Sequence, residues 1–345
     1  MGDVFNDFTL AAVQAAPVYL DREASIEKAC GLIDQAGAKG ADLAVFGETW
    51  VSGYASFARF LGHPKAWSAL KRFVANGVEI PSPATDALCK AAKRAGIDVA
   101  IGVAERDSTT QGSIYCTLVF IGRDGTILGK HRKLKPTYYE RAVWGEGDGS
   151  SLVVYDRPYG KLGGLNCWEH QMVLPGYALI AQGVQVHAAV WPGSTNTRQE
   201  VLCRAYAMQA GAYVVMTGGL TRPEDIPEEF KEIVQPMNGH SGIIGPNGNM
   251  LVGPVDDSEE ILTAKGNLAE VMAQRMVSDH GGHYTRPDVF DFRVNRRPKR
   301  TAWFEDGDAL QREEVLKRVR ILASNGEFRE GRELRGAIED IAGDV

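Results

Sequence analysis

The chain has 345 residues, with 38 Lys+Arg against 44 Asp+Glu and a formal net charge of −6. Hydrophobic residues make up 44% and charged residues 24%, a globular composition that excludes disordered and fibrous classes. A mildly acidic balance favours neither nucleic acid nor an anionic membrane as partner.

Thirty-nine glycines, about 11% of the chain against a usual ~7%, predict many tight turns. No run of 18 apolar residues exists, so no membrane span is expected. Met1 to Asp7 carries two acids and no base, which does not read as a signal peptide. The five cysteines, Cys30, Cys89, Cys116, Cys167 and Cys203, form no Cys-x-x-Cys pair. They suit neither a disulfide framework nor a zinc site, and reduced thiols in a cytoplasm are expected.

In chain order, Phe8–Val18 reads as a strand ending at Pro17. Asp21–Ala38 reads as a helix, with Ile26, Ala29, Leu32 and Ile33 at helical spacing before Gly40. Asp42–Phe46 is a buried strand and Thr85–Ala95 a helix with cations near its end. Ile97–Ala104 and Ile114–Ile121 are strands, the second turning through Asp124-Gly125 into Ile127–Lys130. Leu152–Tyr155 and Leu162–Leu165 flank a turn at Arg157–Gly160. A helix over Ala178–Gln182, a strand over Val184–Trp191, a helix over Gln199–Ala212 and a strand over Tyr213–Met216 follow. Ser241–Ile244 and Met250–Val252 form a hairpin around Pro246–Asn249. Strands linked by helices indicate α/β layers, and the hairpins add antiparallel pairing. One domain with two sheets is expected through about residue 288. Residues 289–345 are a basic-to-mixed extension with a helix expected over Ala309–Ala323.

The Walker, Gly-x-Gly-x-x-Gly, Gly-x-Ser-x-Gly and His-Glu-x-x-His patterns are all absent. His280 and His283 alone have metal-like spacing, and two ligands fall short of the usual three or four. No metal is expected. Arg296, Arg297, Lys299 and Arg300 are a basic cluster without a nucleic-acid-binding motif, so no such partner is expected.

Three segments can carry chemistry. Cys167 follows an apolar strand and precedes a helical stretch, in Gly163-Gly164-Leu165-Asn166-Cys167-Trp168-Glu169-His170. Backbone N–H groups at such a turn stabilise a thiolate and an oxyanion. A buried inert thiol is the other reading, and the one favoured for the remaining four cysteines. Glu48 ends the apolar run Leu43–Gly47, at the carboxyl end of a strand, where α/β sheets bind ligands. A solvated loop glutamate would look the same. Lys133 lies in Lys130–Pro136, followed by Tyr138, Tyr139, Glu140 and Trp144. A cation beside a cysteine lowers its pKa and stabilises a tetrahedral intermediate.

Together these segments resemble the nitrilase superfamily, whose members use Glu, Lys and Cys in that order. Phe46–Tyr54, His131–Thr137 and Asn166–His170 match the three motif segments. Val186–Pro192 and His283–Asp288 match further landmarks. The Cys-Trp-Glu form and Pro136-Thr137-x-x-Glu140 resemble the true nitrilase branch. Gly47, where the branch usually has Pro, and Leu165-Asn166 before the cysteine are departures that bear on substrate preference.

The resemblance implies a four-layer α-β-β-α sandwich with a C-terminal extension, 289–345, acting as a subunit-interface arm. It implies pairing into a dimer and extension into spiral homo-oligomers. The implied activity is hydrolysis of a small-molecule nitrile to carboxylic acid and ammonia, without cofactor. An amidase, a carbamoylase or a cyanide-hydrolysing enzyme would use the same triad. Glu48 is the implied base, Lys133 the charge stabiliser, Cys167 the nucleophile and Glu140 a fourth member. The Trp168 backbone N–H is an implied oxyanion donor, and Tyr54, Trp168, His187 and Trp191 are candidate pocket walls.

Overall fold

The computed structural model describes residue 5 and residues 7–193 and 197–299. The expected helix at Ala309–Ala323 lies outside the described residues. The chain divides into a unit of residues 1–298 and a second of residues 299–345, of which only Lys299 is described.

The elements run β1 (Asp7–Gln14), α1 (Arg22–Ala38), β2 (Leu43–Phe46), α2 (Pro64–Ala75), α3 (Pro83–Ala95), β3 (Asp98–Arg106), β4 (Ile114–Ile121) and β5 (Ile127–Arg132). After them come β6 (Tyr155–Arg157), β7 (Gly160–Asn166), α4 (Val173–Ile180), β8 (Val186–Trp191), α5 (Arg198–Ala210), β9 (Tyr213–Gly218) and β10 (Leu220–Thr221). The last are β11 (Met237–Ile244), β12 (Met250–Asp256), β13 (Glu260–Asn267) and α6 (Leu268–Val277).

Two sheets result. The first has the order β13-β1-β2-β3-β4-β5 and the second β10-β11-β9-β8-β7-β6, with β12 on β11. β1, β2 and β3 are parallel, as are β7, β8 and β9. Alternation along β1 shows why the layers form. Leu10 and Ala12 face the second sheet, with Leu43, Val45, Val186, Val190 and Val215. Ala11 and Val13 face outward, against Ile26, Ala29 and Ile33 of α1 and Leu88 and Ala92 of α3. On the other side, α4 and α5 cover the second sheet through Leu179, Cys203, Tyr206 and Ala207. The α-β-β-α sandwich that the resemblance implies is the architecture found.

Local signals explain the helices. Asp21 caps α1, accepting from the Ala24 N–H at 3.0 Å. α3 starts with Pro83 behind a Ser82–Thr85 capping box and stops at Gly96, whose φ of 70° is left-handed. Differences from the expected elements are local. β1 ends at Gln14 and not near Pro17, where its antiparallel partner β13 begins at Glu260. The expected strand at Leu152–Tyr155 shifts to Tyr155–Arg157, where it pairs with β7. Helices α2 and α6 and strands β10 and β13 match no element expected from the sequence.

Candidate active site

The carboxyl ends of β2, β5 and β7 deliver the three motif segments to one place. Glu48 follows β2 by two residues, Lys133 follows β5 by one, and Cys167 follows β7 directly. The first two belong to one sheet and the third to the other. Close backbone approach makes this possible. A Cβ on Gly102 of β3 would lie 2.3 Å from the Gly47 oxygen and 2.4 Å from the Thr49 nitrogen. A Cβ on Gly47 itself would lie 2.9 Å from the Gly219 nitrogen. Glycine at both positions lets the Glu48 turn settle between the sheets, where its N–H donates to the Trp191 carbonyl at 3.1 Å.

The turns are strained. Thr49, Tyr138 and Cys167 have φ of 44°, 49° and 48°, each costing on the order of 1–3 kcal/mol for a residue with a side chain. Thr49 and Cys167 fall inside their motif segments, and Tyr138 directly follows the lysine segment that ends at Thr137.

Lys133, fully buried, donates to Glu48 Oε1 and to Glu140 Oε2, both at 2.8 Å. A carboxylate oxygen of Glu48, one of Glu140 and the Cys167 sulfur lie within 4.8 Å of one another. Such a donor set resembles a cation site, but the Lys133 ammonium already stands between the two carboxylates and would repel a metal ion. Glu140 is held further by the Thr137 N–H at 2.6 Å and the Tyr54 hydroxyl at 2.6 Å. Glu48 Oε1 also accepts from the Cys116 thiol at 3.0 Å. Its Oε2 is buried and has no partner among the described residues, which leaves that oxygen able to accept a proton.

Burial pushes the Glu48 carboxyl up from 4.5 to about 7, with Lys133 pulling against it. Burial would discharge Lys133, but the Glu48 carboxylate and its neighbours outweigh this and hold the ammonium well above its ordinary range. The Cys167 thiol is pushed well up, first by burial and then by Glu48, while Lys133 and the Trp168 backbone N–H favour the thiolate. The resting site therefore combines a neutral thiol, an ammonium and a carboxyl poised near neutrality.

A cavity of about 660 Å³ opens beside Cys167 and Glu140. Of the four expected walls, Tyr54, Trp168 and Trp191 line it, as does Tyr139. His187 does not reach it. Fully buried, it contacts His170 Nε2 at 2.9 Å, and His170 Nδ1 in turn meets the Cys167 carbonyl at 2.7 Å. His170 stacks on Trp191 at 5.1 Å, so His187 supports the Cys167 turn from behind. Arg59 and Arg198 also line the cavity, stacked over Tyr139 and Trp168. Neither arginine, nor Cys116, carries a local sequence signal; each arrives from a distant element.

The Carbon-nitrogen hydrolase family model matches residues 9–276. The chain is 52% identical over 315 residues to Nitrilase 2 of an unknown prokaryotic organism, covering 90% of this chain and all of that protein. It is 36% identical over 315 residues to the aliphatic nitrilase of Rhodococcus rhodochrous, covering 86% and 85% of the two chains. Among solved structures, Saccharomyces cerevisiae Nit3, a member of branch 10 of the nitrilase superfamily, superposes with a TM-score of 0.68. That likeness, at 21% identity over 82% of this chain and 97% of the other, concerns the fold.

Proposed function

The chain belongs to the carbon-nitrogen hydrolase family, in its nitrilase branch, and from that premise we propose which residues perform the hydrolysis. The enzyme converts an organic nitrile and two waters to a carboxylic acid and ammonia.

In our reading, Glu48 Oε2 takes the Cys167 proton as the sulfur attacks the nitrile carbon. The nitrile nitrogen gains a proton, and a covalent thioimidate results. Glu48 then activates a water, which adds to the same carbon. Ammonia departs as the C–N bond breaks, leaving a thioester. A second water, activated in the same way, releases the acid and restores the thiol. Lys133 and the Trp168 N–H stabilise the charge that develops on the substrate nitrogen and then on oxygen. Glu140, fixed by Tyr54 and Thr137, orients Lys133. The placement of the Lys133 ammonium 2.8 Å from each carboxylate, with the Cys167 sulfur beside them, carries this assignment.

Tyr54, Trp168 and Trp191 serve as pocket walls. The assembly reading is supported by exposed apolar residues: Val173 and Leu174 on α4, Val201 and Met208 on α5, and Met276 and Val277 on α6. A second copy is the partner proposed for this surface, with residues 289–345 as interface arms. Five unpaired thiols fit a reducing cytoplasm.

The test is ammonia release across a nitrile panel, each nitrile paired with its amide. Activity lost in Cys167→Ala supports the reading. Undiminished activity in that variant refutes the nucleophile, and faster turnover of the amides than of the nitriles refutes the substrate class. Size-exclusion of the same sample tests assembly.

A further inference from the structure

The triad comes from two sheets, and something must fix their separation. One buried side chain touches both halves. Glu169, fully buried, lies two residues past the nucleophile. Its Oε1 accepts from the Leu134 N–H at 2.8 Å, one residue after Lys133. Its Oε2 accepts from the Asn166 N–H at 2.8 Å, one residue before Cys167. His131 Nε2, two residues before Lys133, approaches both oxygens at 3.1 and 3.0 Å. An ionised carboxylate only accepts, so this nitrogen carries a proton. The ring is held at its other end by Ser151 Oγ, 3.0 Å from Nδ1.

We propose that Glu169 is the positioning residue that sets the distance between Lys133 and Cys167. It does not line the cavity and takes no proton from substrate. Its two oxygens grip the backbone on either side of the sandwich, so the ammonium and the sulfur keep their spacing through each covalent step. The same grip holds the strained Cys167 turn, since the Asn166 N–H is fixed immediately before it. Burial alone would raise the Glu169 carboxyl. The His131 pair and the N–H groups of Leu134 and Asn166 outweigh it and keep the group below its ordinary value, hence ionised.

Both oxygens must accept, which makes Glu169→Gln informative. An amide offers one acceptor and one NH₂, and the NH₂ would face a backbone N–H whichever way the group turned. One tie must break. A displacement of about 1 Å at a reacting group costs on the order of 100-fold.

The proposal rests on the triad reading above, and the experiment separates the two. Wild type and Cys167→Ala are assayed on nitriles first; those results bear on the triad alone. Glu169→Gln is then compared for kcat, KM, thermal midpoint and the rate of Cys167 alkylation by iodoacetamide. The expected result is a loss in kcat of about 100-fold, a smaller change in KM and slower alkylation in a folded protein. Glu169→Asp, charged but one methylene short of spanning both N–H groups, should show an intermediate loss. It carries the test with the same readouts if the Gln variant does not fold. A variant with a lowered midpoint but wild-type kcat and alkylation per folded molecule overturns the proposal, because Glu169 would then serve stability only.

Discussion

Replacing Lys133 with Met keeps the stem and deletes the charge between Glu48 and Glu140. The two carboxylates, within 4.8 Å, would then face each other, with a repulsion of about 3.5 kcal/mol at an effective dielectric of ~20. That corresponds to about 2.5 pKa units, enough to protonate one of them at neutral pH. On the proposed roles, the base is then blocked as well as the charge stabiliser removed. Loss of one transition-state donor alone costs about 2.7–4 kcal/mol, so kcat should fall at least ~10²- to 10³-fold. The assay is ammonia release between pH 5 and 9, with circular dichroism to show folding. Remaining activity should climb only at the alkaline end, as the carboxyl finally ionises. A folded Lys133→Met enzyme with near-wild-type kcat and an unshifted pH limb would refute the reasoning.

Three further outcomes follow from the same geometry. With Glu48 raised from 4.5 to about 7, wild-type kcat/KM should rise with pH through about 7. The stability contributed by that carboxyl runs oppositely, being full below about 4.5 and lost as pH rises through about 7. Melting temperatures of wild type and Glu48→Gln should therefore diverge in pH dependence, and parallel curves would count against a raised carboxyl. Tyr54→Phe removes the 2.6 Å donation to Glu140, a bond to a charged group worth about 1.5–3 kcal/mol; kcat should drop about tenfold or more, and an unchanged kcat would remove Tyr54 from the positioning of Lys133. Phe46→Ala deletes a fully buried ring packed edge-on against Trp50 and should cost about 3–5 kcal/mol in urea unfolding, which an unmoved midpoint would contradict.

Local patterns carried much of this molecule. The Asp21 cap, the alternation of Leu10, Ala11, Ala12 and Val13, and the stop at Gly96 are short-range signals, and each fixed an element. The motif segments of Glu48, Lys133 and Cys167 were readable because a strand end followed by a chemically unusual residue stands out in one dimension. What stayed hidden depends on pairing between distant residues. Cys116 looks like any apolar strand residue until β4 sets it against Glu48. His187 looks like a pocket residue because its neighbour Trp191 is one; at full burial it buttresses His170 instead. Helix α2 was missed although Ala66, Ala69, Leu70, Phe73 and Val74 fall at helical spacing and pack into one cluster. Strand β13, the partner of β1, was missed because its apolar run Ile261-Leu262 is short and gives way to Lys265-Gly266.

That last pairing has a consequence for biosynthesis. β13 covers the outer edge of β1 over eight residue pairs, from Asp7↔Asn267 to Gln14↔Glu260. On a ribosome adding about 5–20 residues per second, on the order of 250 residues must follow β1 before its partner exists, a delay of roughly 12–50 s. For that interval an apolar strand presents unpaired N–H and C=O groups, a template for pairing with a neighbouring nascent chain. The yield of soluble enzyme should therefore depend on how sparsely ribosomes load the message, and on whether a chaperone shields the first strand until the thirteenth arrives.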